Sequence, residues 1–330
     1  MNAGGVRLRA TCIHLRIWTL LRVACLVSSI ARMIRTTRFH TVLLLTLGLT
    51  IASLGCGSDD NGGAAGSGGS PAGPLRILVT NDDGVGADGI DAIVEALIAN
   101  SDNEVVVCAP AENASGAGDA TVNDTAPPPC ANGTGDAVPS STASGYDDAT
   151  WAVDGCPADS VIYALENLYT DAPPHVVLSG INEGQNVGLV SGGLLSQISG
   201  TVGAAKTAAC LGVPAAGSSQ GEGDTIDYPK GVAAVLAWLE ENRAALLAGR
   251  VPLDNITSIN IPSCDTGSIR DTVEVPLGTE LPDYVPGLTG PQDCESTLEN
   301  PRDDLEGFFN GFTTITPVPS NSSMTCDKLD

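Results

Sequence analysis

The chain carries the segment LRILVTNDDG from Leu75 to Gly84. Its first six residues are mostly apolar, and a short apolar run that ends at turn-forming residues predicts a buried strand followed by a loop. Two adjacent carboxylates, Asp82 and Asp83, lie at the end of that strand, where they would repel each other in a dry cleft unless a cation lay between them. By itself the Asn-Asp-Asp-Gly run also fits an ordinary turn, since all three residue types favour turns. The segment therefore predicts a strand, and its two aspartates can be interpreted either as a cation site or as part of an ordinary turn.

Strands and helices alternate after this segment. Helical spacing of apolar residues predicts helices over about 90–98, 157–168, 201–211 and 228–241. Apolar runs predict further strands at 104–109, 151–153, 176–178, 213–216, 256–261 and 312–316. This alternation predicts an α/β fold whose mostly parallel sheet is covered by helices on both faces. In such folds ligands bind beyond the carboxyl ends of the strands, so we expect the polar loops after the strands to converge there.

The sequence divides into three regions. Residues 1–56 are predicted to be a signal segment, residues 57–73 a flexible linker rich in Gly and Ser, and residues 74–330 the main domain. Within that domain we expect a long polar loop or irregular hairpin at 119–150, a Gly-rich loop at 179–200 and an irregular C-terminal extension from about residue 262.

The first region predicts export. It contains seven Arg and no acidic residue, and its apolar run from Thr41 to Leu54 is too short for a comfortable membrane span. Ser53-Leu54-Gly55-Cys56 resembles a bacterial lipobox, although the usual pattern prefers Leu where Ser53 stands. We therefore expect a periplasmic or cell-surface lipoprotein with a lipid anchor on Cys56, the alternatives being plain secretion and a retained membrane anchor. Met33 would make a more ordinary start for such a segment.

Charge and histidine content restrict the function. All 39 Asp and Glu residues follow Cys56 but only 8 of the 15 Lys and Arg do, so the body carries 8 − 39 = −31. Binding to a nucleic-acid duplex is not expected, because it needs a basic cluster and the body has none. His175 is the single histidine after the signal segment, and we expect it to have a structural role at a strand edge. A His-rich zinc site is thereby excluded, and any metal must take oxygen ligands, which favours Mg²⁺ or Mn²⁺.

Seven cysteines follow Cys56, and export would allow them to form disulfides. Cys108 and Cys210 fall in a predicted strand and a predicted helix, and we expect both to be buried thiols. The pairings we expect among the others are Cys130 with Cys156, and Cys264 with either Cys294 or Cys326.

The expected edge of the sheet offers a metal site and a phosphate site. Ser115 and Asn182 can add neutral oxygens to a cation held by Asp82 and Asp83, and that ion would activate a water for attack on phosphorus, with either aspartate as a base. A second motif, Ser199-Gly200-Thr201, opens a predicted helix. Free N–H groups there can bind an anion, although ordinary helix capping explains the same residues equally well.

An ordered series of motifs resembles the SurE survival-protein family of 5′/3′-nucleotidases. The series consists of Leu78 to Gly84 with Gly89-Ile90, Ala109-Pro110 with Ser115-Gly116, Gly155 to Asp159, Ser179 to Gly188, Ser199 to Ala205, Asn260 to Pro262 and Thr314 to Pro317. One such motif would be weak evidence, whereas seven in the family's order make the turn-only interpretation of the aspartates untenable.

The resemblance implies a function and a site. It implies a Rossmann-like three-layer domain that hydrolyses nucleoside 5′- or 3′-monophosphates and forms a homodimer or homotetramer. It places the metal ligands on Asp82, Asp83, Ser115 and Asn182. It places Asn81, Asn186, Ser199, Gly200 and Thr201 near the phosphate. The sequence departs from the family at Asp88, Ile198 and Thr207, which leaves the metal ligands intact but puts substrate choice and the contacts between subunits in doubt.

Those departures keep a second hypothesis open. The domain would then be a surface-tethered lipoprotein that binds metal and nucleotide with little or no turnover. A third hypothesis, a dinucleotide-binding domain of the NAD type, fits poorly because the loop after the first strand is Asn-Asp-Asp-Gly rather than Gly-x-Gly-x-x-Gly.

Overall fold

The computed structural model describes residues 73–124, 128–188, 198–280, 283, 290–321 and 325–329. The predicted signal segment, the lipidation site at Cys56, all but the last residue of the linker and residues 189–197 of the Gly-rich loop lie outside these ranges. Within them, no helix is both long enough and apolar enough to cross a bilayer.

A nine-stranded sheet forms the centre of the described domain, in the order β3-β4-β2-β1-β5-β6-β7-β9-β8. Its strands are β1 (Leu75–Thr80), β2 (Asn103–Pro110), β3 (Ala137–Pro139), β4 (Thr150–Val153), β5 (Val176–Glu183), β6 (Ala215–Gln220), β7 (Asn255–Ile261), β8 (Thr272–Glu274) and β9 (Thr313–Pro319). The six strands from β4 to β7 along this order are parallel, and β3 and β9 pair antiparallel with β4 and β7 at the two sides. The prediction of a mostly parallel α/β sheet is confirmed.

Helices cover both faces of this sheet. They are α1 (Asp88–Ile98), α2 (Pro157–Tyr163), α3 (Gly200–Cys210), α4 (Tyr228–Leu247) and α5 (Asp304–Phe309), with a π-helical turn at Ala164–Leu168 and a 3-10 turn at Cys326–Lys328. The residues of β1 show which helices cover which face of the sheet, because successive residues of a strand point to opposite faces. Ile77 and Val79 pack in a core with α1 and α4, whereas Leu78 packs in a second core with α2 and α3.

Strand β5 is longer than the sequence predicts. We expected a loop from Ser179, but the strand continues to Glu183 with a register shift against β6 between Ser179 and Asn182. Gly180 permits this shift, because its φ of +130° is unfavourable for other residues and a side chain would collide with Ser218. The extension carries Asn182 to the edge of the sheet.

Three short elements are absent from the prediction: β3, β8 and α5. Each has only three to six residues, too few for a periodic pattern to be visible in the sequence. Helix α5 matters for the site region, since its Leu305, Phe308 and Phe309 form a separate apolar cluster with Val187, just after β5.

Three disulfides cross-link the described chain. Cys130–Cys156 and Cys264–Cys294 are among the expected pairs. The prediction for Cys210 was wrong, because it is bonded to Cys326 rather than buried as a thiol. The two residues are 116 positions apart, and helical periodicity says nothing about a partner at that distance. Cys108 is a buried free thiol as expected, and burial raises its pKa to about 12.

Histidine 175 has the structural position that the sequence predicts. It lies directly before β5, where its Nδ1 accepts a hydrogen bond of 2.9 Å from the backbone N–H of Arg76. Its own backbone N–H donates to the Arg76 carbonyl at 2.8 Å. Burial and the adjacent Arg76 charge both lower its pKa, which keeps the ring a hydrogen-bond acceptor.

Candidate metal and phosphate site

The candidate site is built on the turn that follows β1. Asn81 is fully buried and donates its side-chain N–H to the Gly84 carbonyl at 2.9 Å, which closes the turn. Gly84 has a φ of +104°, a conformation that favours glycine. The Asp82 carbonyl accepts a hydrogen bond of 2.7 Å from the backbone N–H of Ala114, so the turn after β1 is joined to the turn after β2. The two aspartates are therefore held by backbone bonds.

Asp82 faces the N-terminus of α3. Its Oδ1 accepts a hydrogen bond of 2.5 Å from the Thr201 hydroxyl. Burial raises the pKa of this carboxyl, and the Thr201 hydroxyl and the backbone N–H groups of Gly200 and Thr201 offset part of that rise. A phosphate bound at the same helix terminus would adjoin this carboxylate, so the two can share the position only with a cation between them.

Asp83 lies beside Asp82 and contacts residues from the end of β5 and from the turn after β2. Its Oδ2 accepts from the backbone N–H of Glu183 at 3.0 Å, and its Oδ1 from the Asn113 side chain at 3.4 Å. The Ser115 hydroxyl lies close enough to this carboxyl to lower its pKa. Burial and then the Asp82 charge have the larger effect and raise the pKa of Asp83 to about 6. Two ionised carboxylates in this position therefore repel each other, and a cation bound between them would remove the repulsion.

The structure also brings the two neutral candidate ligands to this edge. Ser115 is exposed at the turn after β2, where its backbone N–H donates to the Asn113 side chain at 2.9 Å. Asn182 is buried at the end of β5 and donates its side-chain N–H to Gly184 at 2.5 Å, so its carbonyl oxygen is left to accept from or bind another group. Both residues adjoin Asp83, Ser115 directly and Asn182 through its neighbour Glu183.

The donor set fits a hard divalent cation. Across the described ranges, no group of three or more His, Cys, Asp or Glu side chains is arranged to hold a metal. A metal at this edge must therefore use neutral oxygens in addition to Asp82 and Asp83, and Ser115 and Asn182 supply them. Three buried side-chain oxygens at the end of β1 and in the part of β5 that pairs with it have no hydrogen-bond partner within the described residues: Thr80 Oγ1, Asn81 Oδ1 and Ser179 Oγ. Buried polar atoms normally have partners, so this edge is suited to a polar ligand or solvent.

The start of α3 packs closely against Asp82. Ser199 caps the helix by accepting from the backbone N–H of Val202 at 3.2 Å, which agrees with the capping interpretation. Gly200 makes the contact possible, since a Cβ there would lie 2.6 Å from Asp82 Cβ and 3.0 Å from its Oδ2. A glycine is therefore required where the helix meets the aspartate.

Asn186 is held by a polar network on the other side of β5. Its backbone N–H donates to Asn260 Oδ1 at 2.7 Å, its side chain donates to Ser219 at 2.9 Å, and Asn260 donates back to its carbonyl at 3.1 Å. Asn260 and Ser219 come from the ends of β7 and β6. The sequence analysis identified Asn260-Ile261-Pro262 as a family motif but did not predict that Asn260 bonds to Asn186.

Two further groups were missed by sequence reasoning. The fully buried Lys206 of α3 forms an ion pair with Asp119, with 3.6 Å between Nζ and Oδ2, and the Thr325 hydroxyl bonds to the same carboxylate. This cluster joins α3 to the loop that carries Ser115. Tyr228, at the start of α4, lies close enough to Glu183 and Asp83 for their charges to add to burial in raising its pKa.

The comparison with protein families identifies this architecture. The model of the family described as survival protein SurE matches residues 77–280. The chain belongs to the SurE family. Its matched region contains every candidate site residue except Cys56.

Relatives and a solved structure agree with this assignment. The chain is 31% identical over 254 residues to 5′-nucleotidase SurE 1 of Burkholderia lata, which covers 74% of the chain and 90% of that relative. It is 35% identical over 266 residues to 5′-nucleotidase SurE of Legionella pneumophila, with 77% and 94% covered. The crystal structure of the SurE protein from Aquifex aeolicus superposes with a TM-score of 0.55 at 25% identity and covers 74% of the chain and 93% of that structure. The SurE-like fold of this chain is thereby established.

Proposed function

We propose that this chain is a metal-dependent phosphomonoesterase that converts nucleoside 5′- or 3′-monophosphates into nucleoside and phosphate. One observation carries the proposal: Asp82 and Asp83 lie with Ser115 and Asn182 at a single edge of the sheet, directly against the N-terminus of α3. The names of the relatives support the same activity, since they are described as 5′-nucleotidases.

The proposed site holds one divalent cation, Mg²⁺ or Mn²⁺, through Asp82, Asp83, Ser115 and Asn182. When bound, such an ion neutralises phosphate charge and makes a water molecule more acidic. Ser199, Gly200 and Thr201 face the phosphate through the helix N-terminus. The family resemblance also assigns Asn81 and Asn186 to the phosphate. In the structure Asn81 closes the turn after β1 and Asn186 is bonded to Asn260, so both would act by holding the loops around the site.

The chain's own residues orient this site. Thr201 fixes one oxygen of Asp82, and the Glu183 N–H and the Asn113 side chain fix the two oxygens of Asp83, so that the orientation of both carboxylates is set before a ligand binds. Side chains that are already held by hydrogen bonds lose little conformational entropy when the substrate binds. Either aspartate can serve as the base for the attacking water, because both lie at the edge where the phosphate would be held.

Phosphate release from AMP tests the proposal. The wild-type chain should release phosphate in Mg²⁺ or Mn²⁺ and stop when EDTA is added. Asp82→Asn should lower kcat by orders of magnitude while the circular dichroism spectrum stays unchanged, because Asn can still accept the bond from Thr201. Full activity in that variant would contradict the metal site, and tight nucleotide binding without phosphate release over a broad ester panel would favour the alternative of a binding lipoprotein.

We further propose that the chain is exported and anchored through a lipid on Cys56. The support is the lipobox-like segment together with three disulfides in the described domain, since disulfides persist in oxidising compartments. Cys56→Ser should move the protein from the membrane fraction to the soluble fraction and abolish labelling by a fatty-acid analogue. We propose a homodimer or homotetramer on the basis of the family resemblance, to be measured by light scattering.

A further inference from the structure

Residues 113–120 form the loop that carries Ser115, hereafter the Ser115 loop. The backbone N–H of Ala117 donates to the Ala114 carbonyl at 3.1 Å, which closes a turn around Ser115. The Ala114 N–H in turn donates to the Asp82 carbonyl at 2.7 Å. The loop therefore begins beside one proposed metal ligand and carries another, so its position sets the distance between the two.

Helix α3 is the surface on which the Ser115 loop rests. The backbone N–H of Gly118 donates at 3.2 Å to the carbonyl of Ile198, just before the helix. Gly203 of α3 packs against the same part of the loop, since a Cβ there would lie 2.0 Å from the Gly118 carbonyl oxygen. Neither glycine has a side chain that could interlock the two surfaces. The position of the loop along the helix therefore depends on the contacts of its neighbouring residues.

Asp119 supplies such a contact at the far end of the loop. Its Oδ2 lies 3.6 Å from the Nζ of Lys206 in α3, and the same oxygen accepts the hydroxyl hydrogen of Thr325. Asp119 is buried, and Lys206 and Thr325 are 0% and 1% exposed. A buried carboxylate is tolerated only where a cation and hydrogen-bond donors compensate its charge. Asp119 is thereby held at one place between the helix and a residue near the C-terminus.

A disulfide keeps Thr325 at that place. The next residue, Cys326, is bonded to Cys210, the last residue of α3. The backbone N–H of Cys326 also donates to Asn321 Oδ1 at 2.9 Å, where the 3-10 turn begins. This C-terminal turn is therefore attached covalently to the end of α3 and, through the Thr325 hydroxyl, to the Ser115 loop.

We propose that Thr325, held by the Cys210–Cys326 disulfide, is a positioning residue for the metal site. It acts through Asp119 and fixes the Ser115 loop on α3, the helix whose first turn faces the phosphate. The inference rests on the proposed metal-dependent function and adds the C-terminal turn to the groups that set the geometry of that site. Groups that orient metal ligands influence metal affinity almost as much as the ligands do.

Backbone amide exchange and titration with Mn²⁺ test this role on the full chain. Thr325→Val removes the hydroxyl and keeps the shape of the side chain. It should speed amide exchange within the Ser115 loop by about fivefold or more. In calorimetry it should weaken Mn²⁺ binding by roughly tenfold, while kcat for AMP at saturating Mn²⁺ changes by less than about threefold. Thr325→Ser keeps a donor for Asp119 and should restore wild-type values in both measurements.

Two further variants separate the positioning role from general stability. Cys210→Ser combined with Cys326→Ser opens the disulfide and leaves Thr325 in the chain. It should change loop exchange and Mn²⁺ affinity in the same direction as Thr325→Val. Thr150→Val is the matched control, because Thr150 is 1% exposed and its hydroxyl donates to the Tyr146 carbonyl at 2.9 Å, at the start of β4 and thus away from the site. The control should leave both measurements at wild-type values.

Two outcomes overturn the inference. Wild-type amide exchange in the Ser115 loop of Thr325→Val would show that Thr325 does not hold the loop, whatever the activity of the variant. Equally faster exchange throughout the domain in Thr325→Val and Thr150→Val would show that Thr325 contributes to stability alone. Failure of the proposed function is a separate result: the wild type would then bind no Mn²⁺ and hydrolyse no ester, whereas the exchange rates report directly on the loop.

Discussion

Thr201 donates its hydroxyl hydrogen to Asp82 across 2.5 Å, and the two residues are 119 positions apart in the chain. The bond connects the first residues of α3 with the turn after β1. Together with the close packing of Gly200 on Asp82, it positions the proposed phosphate-binding and metal-binding elements relative to each other.

Removing the Thr201 hydroxyl should lower activity more than stability. Thr201→Val keeps the shape of the side chain but leaves Asp82 without its closest donor, and a hydrogen bond to a charged group contributes about 1.5–3 kcal/mol. We expect kcat/KM for AMP to fall by about tenfold or more. Thr207→Val is the control, since Thr207 is a buried threonine of the same helix whose hydroxyl donates to the Gly203 carbonyl at 2.9 Å. Equal losses in the two variants would contradict a specific role of Thr201.

Adding one methyl group at Gly200 should displace the helix from Asp82. A Cβ at this position would lie 2.6 Å from Asp82 Cβ, closer than real contacts allow. Gly200→Ala should therefore reduce kcat/KM strongly and lower the melting temperature. Gly217→Ala tests the specificity of this effect, because its Cβ would meet nothing closer than 3.7 Å and should be tolerated. If Gly200→Ala retained wild-type kinetics, the close packing of α3 on Asp82 would not hold in solution.

Breaking the buried ion pair should destabilise the domain. Lys206→Met leaves the Asp119 carboxylate buried without its cation, which typically costs about 3–5 kcal/mol. The double variant Lys206→Met with Asp119→Asn should recover much of that loss, because no buried charge then remains uncompensated. Chemical denaturation of the wild type, both single variants and the double variant gives four free energies of unfolding, from which the interaction free energy of Lys206 and Asp119 is obtained. Additive effects would contradict a direct interaction.

The buried Asp304 should make stability depend on pH. Its two oxygens accept the backbone N–H groups of Gly188 and Gly278 at 2.8 and 2.6 Å, and burial nevertheless raises its pKa from 3.8 to about 6. A carboxyl whose pKa is higher in the folded state stabilises the fold when protonated. This contribution is complete below pH 3.8 and is lost as the pH rises through about 6.

The matching measurement compares unfolding of the wild type with that of Asp304→Asn between pH 4 and 7. The variant is less stable overall, since Asn has only one oxygen to accept the two N–H groups. The stability advantage of the wild type should shrink by up to about 3 kcal/mol as the pH rises over this range. A constant difference would show that Asp304 keeps an ordinary pKa.

Several features followed from local sequence. The apolar run of β1, the turn residues after it, the capping Ser199 and the spacing of Ile90, Ile93 and Val94 were all readable, because strands, turns and helices depend on neighbours within a few positions. The order of the strands along the chain was also sufficient to place Asp82, Ser115 and Asn182 at one edge, since parallel strands end on the same side of the sheet.

Other features depend on residues that are distant in sequence. The Cys210–Cys326 disulfide, the ion pair between Lys206 and Asp119 and the bond between Asn186 and Asn260 each join segments whose separation only packing can close. The extension of β5 beyond Ser179 depends on Gly180 fitting against Ser218, which no pattern within β5 reveals.

The segment from Leu75 to Gly84 thus determined a buried strand with two carboxylates at its end, because burial and turn preference are properties of a short stretch of chain. Only the tertiary structure decided which groups face those carboxylates. Thr201 at the start of α3, Asn113 in the turn after β2 and the Glu183 N–H at the end of β5 reach them from distant parts of the chain. The physical reason is that charge, hydrogen bonding and shape act through space, over a few ångströms, whatever the separation along the chain.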